Sequence, residues 1–429
     1  MAPDSAKPSL HGGGALKLTA LFGAAQVLPL VLSPALARLY SPEDIGRWAV
    51  FAALIIVGAS VASLRFDQVV VIAKARLHAL HAAIIALACA AACAILVTAV
   101  LMTDLEQVLV RAFGHRAGTW SPFLGLAIFL LATALVASNW LLRNVRFVAV
   151  GFVRLGQASL VAVLGVAFGI VGVPHGLIAA QISGLMLTGL ATGAILSRDI
   201  FGAQAPSGKR LCSLANRYRE FPIKGAPANL LSTLAIYLPL LLFAHLFGDF
   251  ENGQFALARQ CLLGASGAVF MATGQTFMLA ATECVRRRGA LGNLLRRQLI
   301  RQCMIAGVFL IATLLLAQLV FEWFFGDRWS PAGVYATWLA LPVSAALLVS
   351  PLSGLLVAVE RVGTNSAWQV GYAASLALLV LPSYDGPFGF LIALIVVDVV
   401  CYAVYLLLIV RGALEHDRTL RRDERPVTE

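Results

Sequence analysis

The sequence predicts an all-α polytopic membrane protein, with about twelve transmembrane helices in two six-helix lobes around a central cavity. Three observations carry this: the composition, the recurrence of long apolar spans, and the distribution of basic residues. The chain of 429 residues is 60% hydrophobic and 12% charged, with a mean hydropathy of +0.87. Soluble domains carry roughly a quarter charged residues, so no sizeable soluble domain fits here. A net charge of +11 would point to nucleic acid in a soluble chain. Here the bases lie between apolar spans, where membrane orientation accounts for them and no nucleic-acid partner is implied.

Taken in order, residues 1–14 are polar and Gly-rich and are expected to be disordered. Ala35-Leu36-Ala37 matches a small-residue cleavage pattern. The apolar run before it is too long for a signal-peptide core, so the first helix is expected to remain. The stretch from Gln26 to Arg76 is a hairpin of two apolar spans joined by the charged turn Arg38 to Gly46. Each span is about 20 residues, enough to cross a ~30 Å hydrocarbon core. The windows fall near 15–37, 46–66, 82–102, 120–142, 155–173, 176–196, 226–247, 254–282, 302–325, 332–359, 366–382 and 388–410. The predicted organisation is an N-lobe over 15–196, a cytoplasmic linker over 197–225, a C-lobe over 226–410 and a cytoplasmic tail over 411–429.

Connections after odd-numbered spans are short and mixed or acidic, whereas those after even-numbered spans are basic. With the N-terminus inside, 26 of the 32 lysines and arginines fall on inner segments, 5 on outer ones, and Arg259 inside a span. Bases gather on the cytoplasmic side of membrane proteins, so both termini are expected there. The halves also look related. Leu28-Pro29-Leu30 with Gly46-Arg47-Trp48-Ala49-Val50 is echoed by Leu238-Pro239-Leu240 with Gly253-Gln254-Phe255-Ala256-Leu257. Six helices per half makes this a parallel repeat, as in many two-lobed transporters.

Ionisable groups within hydrocarbon cost several kcal/mol unless they face a cavity or a partner, which makes them candidates. Arg259 lies about a turn and a half into the eighth span and Asp398 near the middle of the twelfth. Arg65 and Asp67 close the second. Arg259 reads either as a base in an aqueous cleft or as a side chain snorkelling to the headgroups. Asp398 reads as a proton- or sodium-responsive carboxylate, or as a neutral group stapling two helices. Two residues apart on a helix, Arg65 and Asp67 point to different faces and cannot pair. Arg65 would then face a cavity or anchor at the headgroups. Gln26, Asn139, Gln181, Asn229 and Gln275 are expected to hydrogen-bond between helices. The seven cysteines form neither a disulfide framework nor a metal site, and no cofactor or metal is expected. Arg286-Arg287-Arg288, with Arg296, Arg297 and Arg301, either fixes topology or holds acidic lipid headgroups.

Three pieces of the hairpin carry a resemblance. Arg38-Leu39-Tyr40-Ser41-Pro42-Glu43-Asp44-Ile45-Gly46, then Ser63-Leu64-Arg65-Phe66-Asp67, then Val69-Val70-Val71-Ile72-Ala73-Lys74 together resemble the opening signature of the Wzx-type polysaccharide flippases. That family shows RLYxPEeyG and a later slRyE-aivlak stretch, so Phe66 and Asp67 depart mildly. Gly253 to Arg259 is similar to the family's eighth-helix start, and Phe325-Gly326-Asp327-Arg328-Trp329 with Ala332-Gly333 to its ninth-to-tenth turn. The resemblance spans about residues 15–410 and says nothing of the individual substrate.

What it implies is a multidrug/oligosaccharidyl-lipid/polysaccharide exporter fold in a bacterial inner membrane. The implied cargo is an undecaprenyl-diphosphate type of lipid-linked oligosaccharide, moved to the periplasmic leaflet for a surface lipopolysaccharide or exopolysaccharide. Membrane lipids and the polymerase and chain-length proteins of the same pathway are the implied partners. The family's basic cavity residues map here to Arg65 and Arg259 as substrate-binding, and ion coupling would fall to Asp398 or Asp67. Two other readings stand beside it: a small-molecule or ion antiporter of the same fold, and a membrane polymerase or glycosyltransferase. The second suits the chain poorly, since the longest outer connection, about Thr103 to Thr119, is short and holds no carboxylate cluster. No GxxxxGK[ST] loop is present, so direct use of ATP is not expected.

Overall fold

Apolar runs with few polar breaks give backbone groups one economical solution in lipid, the α-helix. The computed structural model describes residues 29–103, 120–201 and 207–423, and all regular structure among them is helical. The segment 1–14, the first half of the first span, most of the connection between Thr103 and Thr119, and the end of the tail lie outside the described residues. The helices are α1 (Pro29–Leu39), α2 (Pro42–Ala62), α3 (Phe66–Ile72), α4 (Arg76–Leu101), α5 (Leu124–Arg143), α6 (Phe147–Val171) and α7 (Gly176–Phe201). They continue with α8 (Gly208–Arg217), α9 (Ala226–Arg286), α10 (Leu291–Phe325), α11 (Ser330–Val349), α12 (Gly354–Ala358), α13 (Val362–Ala377) and α14 (Pro387–Asp423).

By length and composition, nine stretches among the described residues can cross a membrane. Helix α1 is described only from Pro29, α13 has 16 residues, and α9 holds two spans. The total is about twelve, and the protein is a multi-pass membrane protein of the fold class the sequence predicts. Several spans differ in detail. Helix α2 starts at Pro42, four residues before the expected span, because Ser41 and Asp44 cap it. Ser41 Oγ donates to Asp44 Oδ2 at 3.0 Å and the Asp44 N–H to Ser41 Oγ at 3.3 Å. The expected seventh and eighth spans are the two helical arms of α9, which part at a kink at Gly248, whose φ of +79° suits glycine. The expected tenth span runs to Ala358, its helix tightening to a 3-10 turn over Ser350–Ser353, where Pro351 supplies no N–H.

The chain forms two compact units. Among the described residues, unit 1 takes 29–39, 54–103, 120–201 and 207–229, and unit 2 takes 40–53 and 230–423. In unit 1, Ala79, Ala82, Ala83, Ala86 and Ala90 make a fully buried stripe along α4. Such small side chains let helices approach closely where lipid offers no hydrophobic drive. Phe66, Val69, Val70, Val136, Trp140, Leu196 and Leu214 pack around the start of that stripe. In unit 2, Phe277, Ala281, Leu291, Leu352, Leu355, Leu356, Ile409 and Ala413 form one cluster. Phe243, Phe255, Tyr335 and Phe390 form another, Phe243 stacking on Phe255 at 4.4 Å.

Charged side chains from elsewhere in the chain finish two of the helix ends. Asp417 of α14 accepts the Leu291 N–H at 2.7 Å and the Gly292 N–H at 3.0 Å, capping α10 from outside its own sequence. Arg143 of α5 donates to the carbonyls of Val70, Val71, Ala73 and Lys74, which close α3. Hydrogen bonds from a charged donor contribute about 1.5–3 kcal/mol each, less where water competes. Arg143→Gln is therefore expected to destabilise unit 1 by about 2 kcal/mol, read as a lower thermal midpoint in detergent. An unchanged midpoint would remove this role.

Candidate functional site

In unit 1 the site is built on a break in the chain. Helix α2 stops at Ala62, and Leu64 and Arg65 take φ of 47° and 64° before α3 begins. Left-handed backbone is uncommon outside glycine and costs on the order of 1–3 kcal/mol per residue, so the surroundings must hold it. Asp67, 7% exposed, does so: it accepts from Ser63 Oγ at 2.7 Å and from Asn139 Nδ2 at 3.0 Å. Asn139 also donates to the Asp67 carbonyl at 3.2 Å. The turn that results presents Arg65 half-buried, its Cγ 3.8 Å from where a Cβ on Gly225 would lie. Arg65 and Asp67 do not pair, as expected. The reason is the broken helix between them rather than two faces of a continuous one.

In unit 2 the site lies where α9, α13 and α14 meet. Arg259 Nη2 donates to the Ile236 carbonyl on the first arm of α9. Three residues on, Pro239 carries no N–H and interrupts the ladder there. Tyr237, Tyr372, Asp398 and Tyr402 lie within electrostatic reach of the guanidinium. Tyr372 donates to Asp398 Oδ1 at 2.8 Å. Behind it Trp368 stacks on Tyr372 at 5.3 Å and on Tyr405 at 3.8 Å, both nearly parallel. Trp368 Nε1 donates to the Cys401 carbonyl at 2.9 Å, and Tyr405 donates to Asn365. The ladder thus ties α13 to α14 with each of these polar tips satisfied, and it fixes the position of Asp398.

Arg259 and Asp398 therefore share one environment, which the spacing of their spans did not disclose. The aromatic residues around them went unread in the sequence. Their signal was there: Trp368 and Tyr372 are four apart on α13, as are Asp398 and Tyr402 on α14, placing each pair on one face. Chemically the arrangement offers a guanidinium that, among the described residues, is hydrogen-bonded to one carbonyl, and guanidinium groups match paired anionic oxygens. It also offers a carboxylate whose donor is a neutral phenol.

A third constellation joins the two motif-matched helix starts, both within unit 2. The first turns of α2 abut the second arm of α9 backbone to backbone. A Cβ on Gly46 would lie 2.1 Å from the Asp249 carbonyl oxygen, and one on Gly253 would lie 1.8 Å from that of Pro42. Asn252 Nδ2 donates to the Gly46 carbonyl at 3.0 Å. The Arg47 side chain, 6% exposed, reaches Asp44 at 3.1 Å and Asp249 at 3.4 Å, and donates to the Glu43 carbonyl at 3.0 Å. The charged turn that carries the family resemblance is therefore a packing device in this structure.

No protein-family model and no curated protein matches the sequence. Solved structures do resemble it along nearly its whole length. An inward-facing multidrug resistance MATE family transporter of the MOP superfamily superposes with a TM-score of 0.59 at 17% identity, covering 95% of this chain and 96% of that one. The lipid II flippase MurJ in an inward closed conformation gives a TM-score of 0.70 at 12% identity, covering 94% and 90%. A MOP superfamily transporter from Pyrococcus furiosus gives 0.53 at 16% identity, covering 95% and 96%. At these identities the likeness establishes the fold alone, a polytopic bundle of about twelve membrane-spanning helices arranged as in those structures.

Proposed function

We propose that the protein is a transporter that moves a lipid-diphosphate-linked oligosaccharide from the cytoplasmic to the periplasmic leaflet by alternating access, for export of a surface polysaccharide. The observation that carries this is Arg259, a base within a membrane span whose guanidinium is held by one main-chain carbonyl beside Asp398. A diphosphate cannot cross hydrocarbon unaided, and a guanidinium binds its paired oxygens bidentately. Arg65, raised on a strained turn with no carboxylate paired to it among the described residues, is the second proposed contact. Asp398 is the proposed ion-coupling carboxylate. Asp67 is the weaker candidate, because both its oxygens already hold the turn under Arg65. The likeness to a lipid II flippase supports the cargo class, and the motif resemblance supports a polysaccharide pathway. On this reading the protein sits in a bacterial inner membrane with both termini cytoplasmic and meets the polymerase and chain-length proteins of that pathway.

A second reading, a small-molecule or ion antiporter, draws on the likeness to a multidrug resistance transporter. Vesicles reconstituted with the protein and a fluorescent lipid-diphosphate saccharide separate the two. Leaflet transfer is expected with wild type. It should fall roughly tenfold or more with Arg259→Gln, the loss of a charge-assisted bidentate contact. Asp398→Asn should remove any dependence on an imposed proton or sodium gradient. Absence of leaflet transfer, together with gradient-driven release of a small cation, would replace this reading by the antiporter.

A further inference from the structure

Helix α8 lies between the last span of unit 1 and the start of α9, and its sequence divides sharply by face. Leu211, Leu214, Ala215 and Tyr218 form its apolar stripe. Leu214 is 5% exposed within the core cluster at the start of α4, with Ala215, Tyr218 and Phe221 packed alongside. Arg210 and Arg217 are seven residues apart, so they share one edge of that stripe, and both are exposed. Nearby acids are already engaged elsewhere: Asp199 pairs with Arg76 at 3.1 Å and Glu220 with Lys224 at 3.0 Å. Among the described residues no carboxylate pairs with Arg210 or Arg217.

Beneath this edge is a buried group with nothing to bond. His81 of α4 is 3% exposed and its Nε2 has no hydrogen-bond partner, with Arg210 and His78 within electrostatic reach. A buried ring nitrogen left unpaired costs on the order of 1–3 kcal/mol, so a ligand that reaches it gains by that amount. The exposed Arg210 guanidinium near the unpartnered His81 nitrogen, with Arg217 two turns further along the same edge, attracts an anion with several acceptor oxygens. An amphipathic helix between two spans places that anion at the headgroup level of the bilayer.

We propose that Arg210, Arg217 and His81 form a binding site for the phosphate of an anionic glycerophospholipid, anchoring α8 to the membrane surface. The site is separate from Arg65 and Arg259 and does not depend on what the protein carries. The test uses the full-length protein in detergent, titrated with phosphatidylglycerol or phosphatidylcholine and followed by native mass spectrometry. Phosphatidylglycerol is expected to be retained preferentially, with retention declining as salt rises. Arg210→Gln with Arg217→Gln should weaken its binding roughly tenfold or more. His81→Ala should weaken it while leaving the lipid-free thermal midpoint unlowered, which keeps the proposal testable if the double variant folds poorly. Replacing Arg286, Arg287 and Arg288 together by Gln should leave this retained lipid in place. Equal retention of the two lipids, or undiminished phosphatidylglycerol binding by both variants, would overturn the site. Retention of a polyprenyl diphosphate in preference to phosphatidylglycerol would assign it to cargo and also overturn the proposal.

Discussion

Gly253→Ala is expected to disrupt the packing of α2 on α9 and to abolish transport, even though it adds only one methyl group. The added carbon would sit 1.8 Å from the Pro42 carbonyl oxygen and 2.6 Å from its carbon, so no side chain can rotate away to admit it. Overpacking a core usually costs about 1–3 kcal/mol, with relief through side-chain movement. Here both sides are main chain, fixed by a capped helix start at Pro42 and by the second arm of α9, so the cost should exceed that range. Gly46→Ala meets the Asp249 carbonyl at 2.1 Å and should behave alike. The control is glycine replaced where space is open. Gly156 and Gly307 lie in α6 and α10, with nothing within 4 Å of where an added methyl carbon would lie. Alanine at either should be neutral or stabilising by up to about 1 kcal/mol. Thermal midpoints and leaflet transfer across the four variants decide the matter. A Gly253→Ala protein matching Gly156→Ala in both would mean that the close approach is dispensable.

Much of the fold was legible because span length, capping chemistry and charge bias are local or compositional properties. The turn from Ser41 to Gly46 could be read as a helix start, and the polar stretch around Gly248 as a boundary between spans. What escaped is what needs a partner from elsewhere in the chain. Gly46 and Gly253 occupy matched places in the internal repeat, yet nothing in either motif says that the two places touch. Asp67 looked like an ion-coupling candidate beside Arg65, and its acceptance from Asn139, 72 residues away, is a tertiary fact. Leu64 and Arg65 belong to a motif whose residue types give no hint of left-handed backbone, since neither is glycine. Arg259 and Asp398 were found separately because each breaks the apolar pattern. Their shared surroundings depend on how α13 sits on α14, and Trp368, Tyr372, Tyr402 and Tyr405 set that through ring contacts and hydrogen bonds between the two helices.

Arg47→Met should show how the charged turn works. The Arg47 side chain is 6% exposed and lies between Asp44 and Asp249, whose side chains are 32% and 25% exposed. Removing one partner of a fully buried ion pair costs about 3–5 kcal/mol, chiefly because the other charge stays buried without compensation. Water reaches both carboxylates here, so about 2 kcal/mol is the reasonable expectation. Asp44 also caps α2 through Ser41 and keeps that partner. The double variant Arg47→Met with Asp249→Asn removes both sides of the 3.4 Å contact, and it should recover part of the lost stability. The single variant Asp249→Asn should cost less than Arg47→Met, because Arg47 retains Asp44 and the Glu43 carbonyl. Thermal midpoints of the three variants form a double-mutant cycle that isolates the Arg47–Asp249 term. If the double variant is as unstable as the sum of the singles, the pair is uncoupled, and Arg47 acts through packing of its stem instead of its charge.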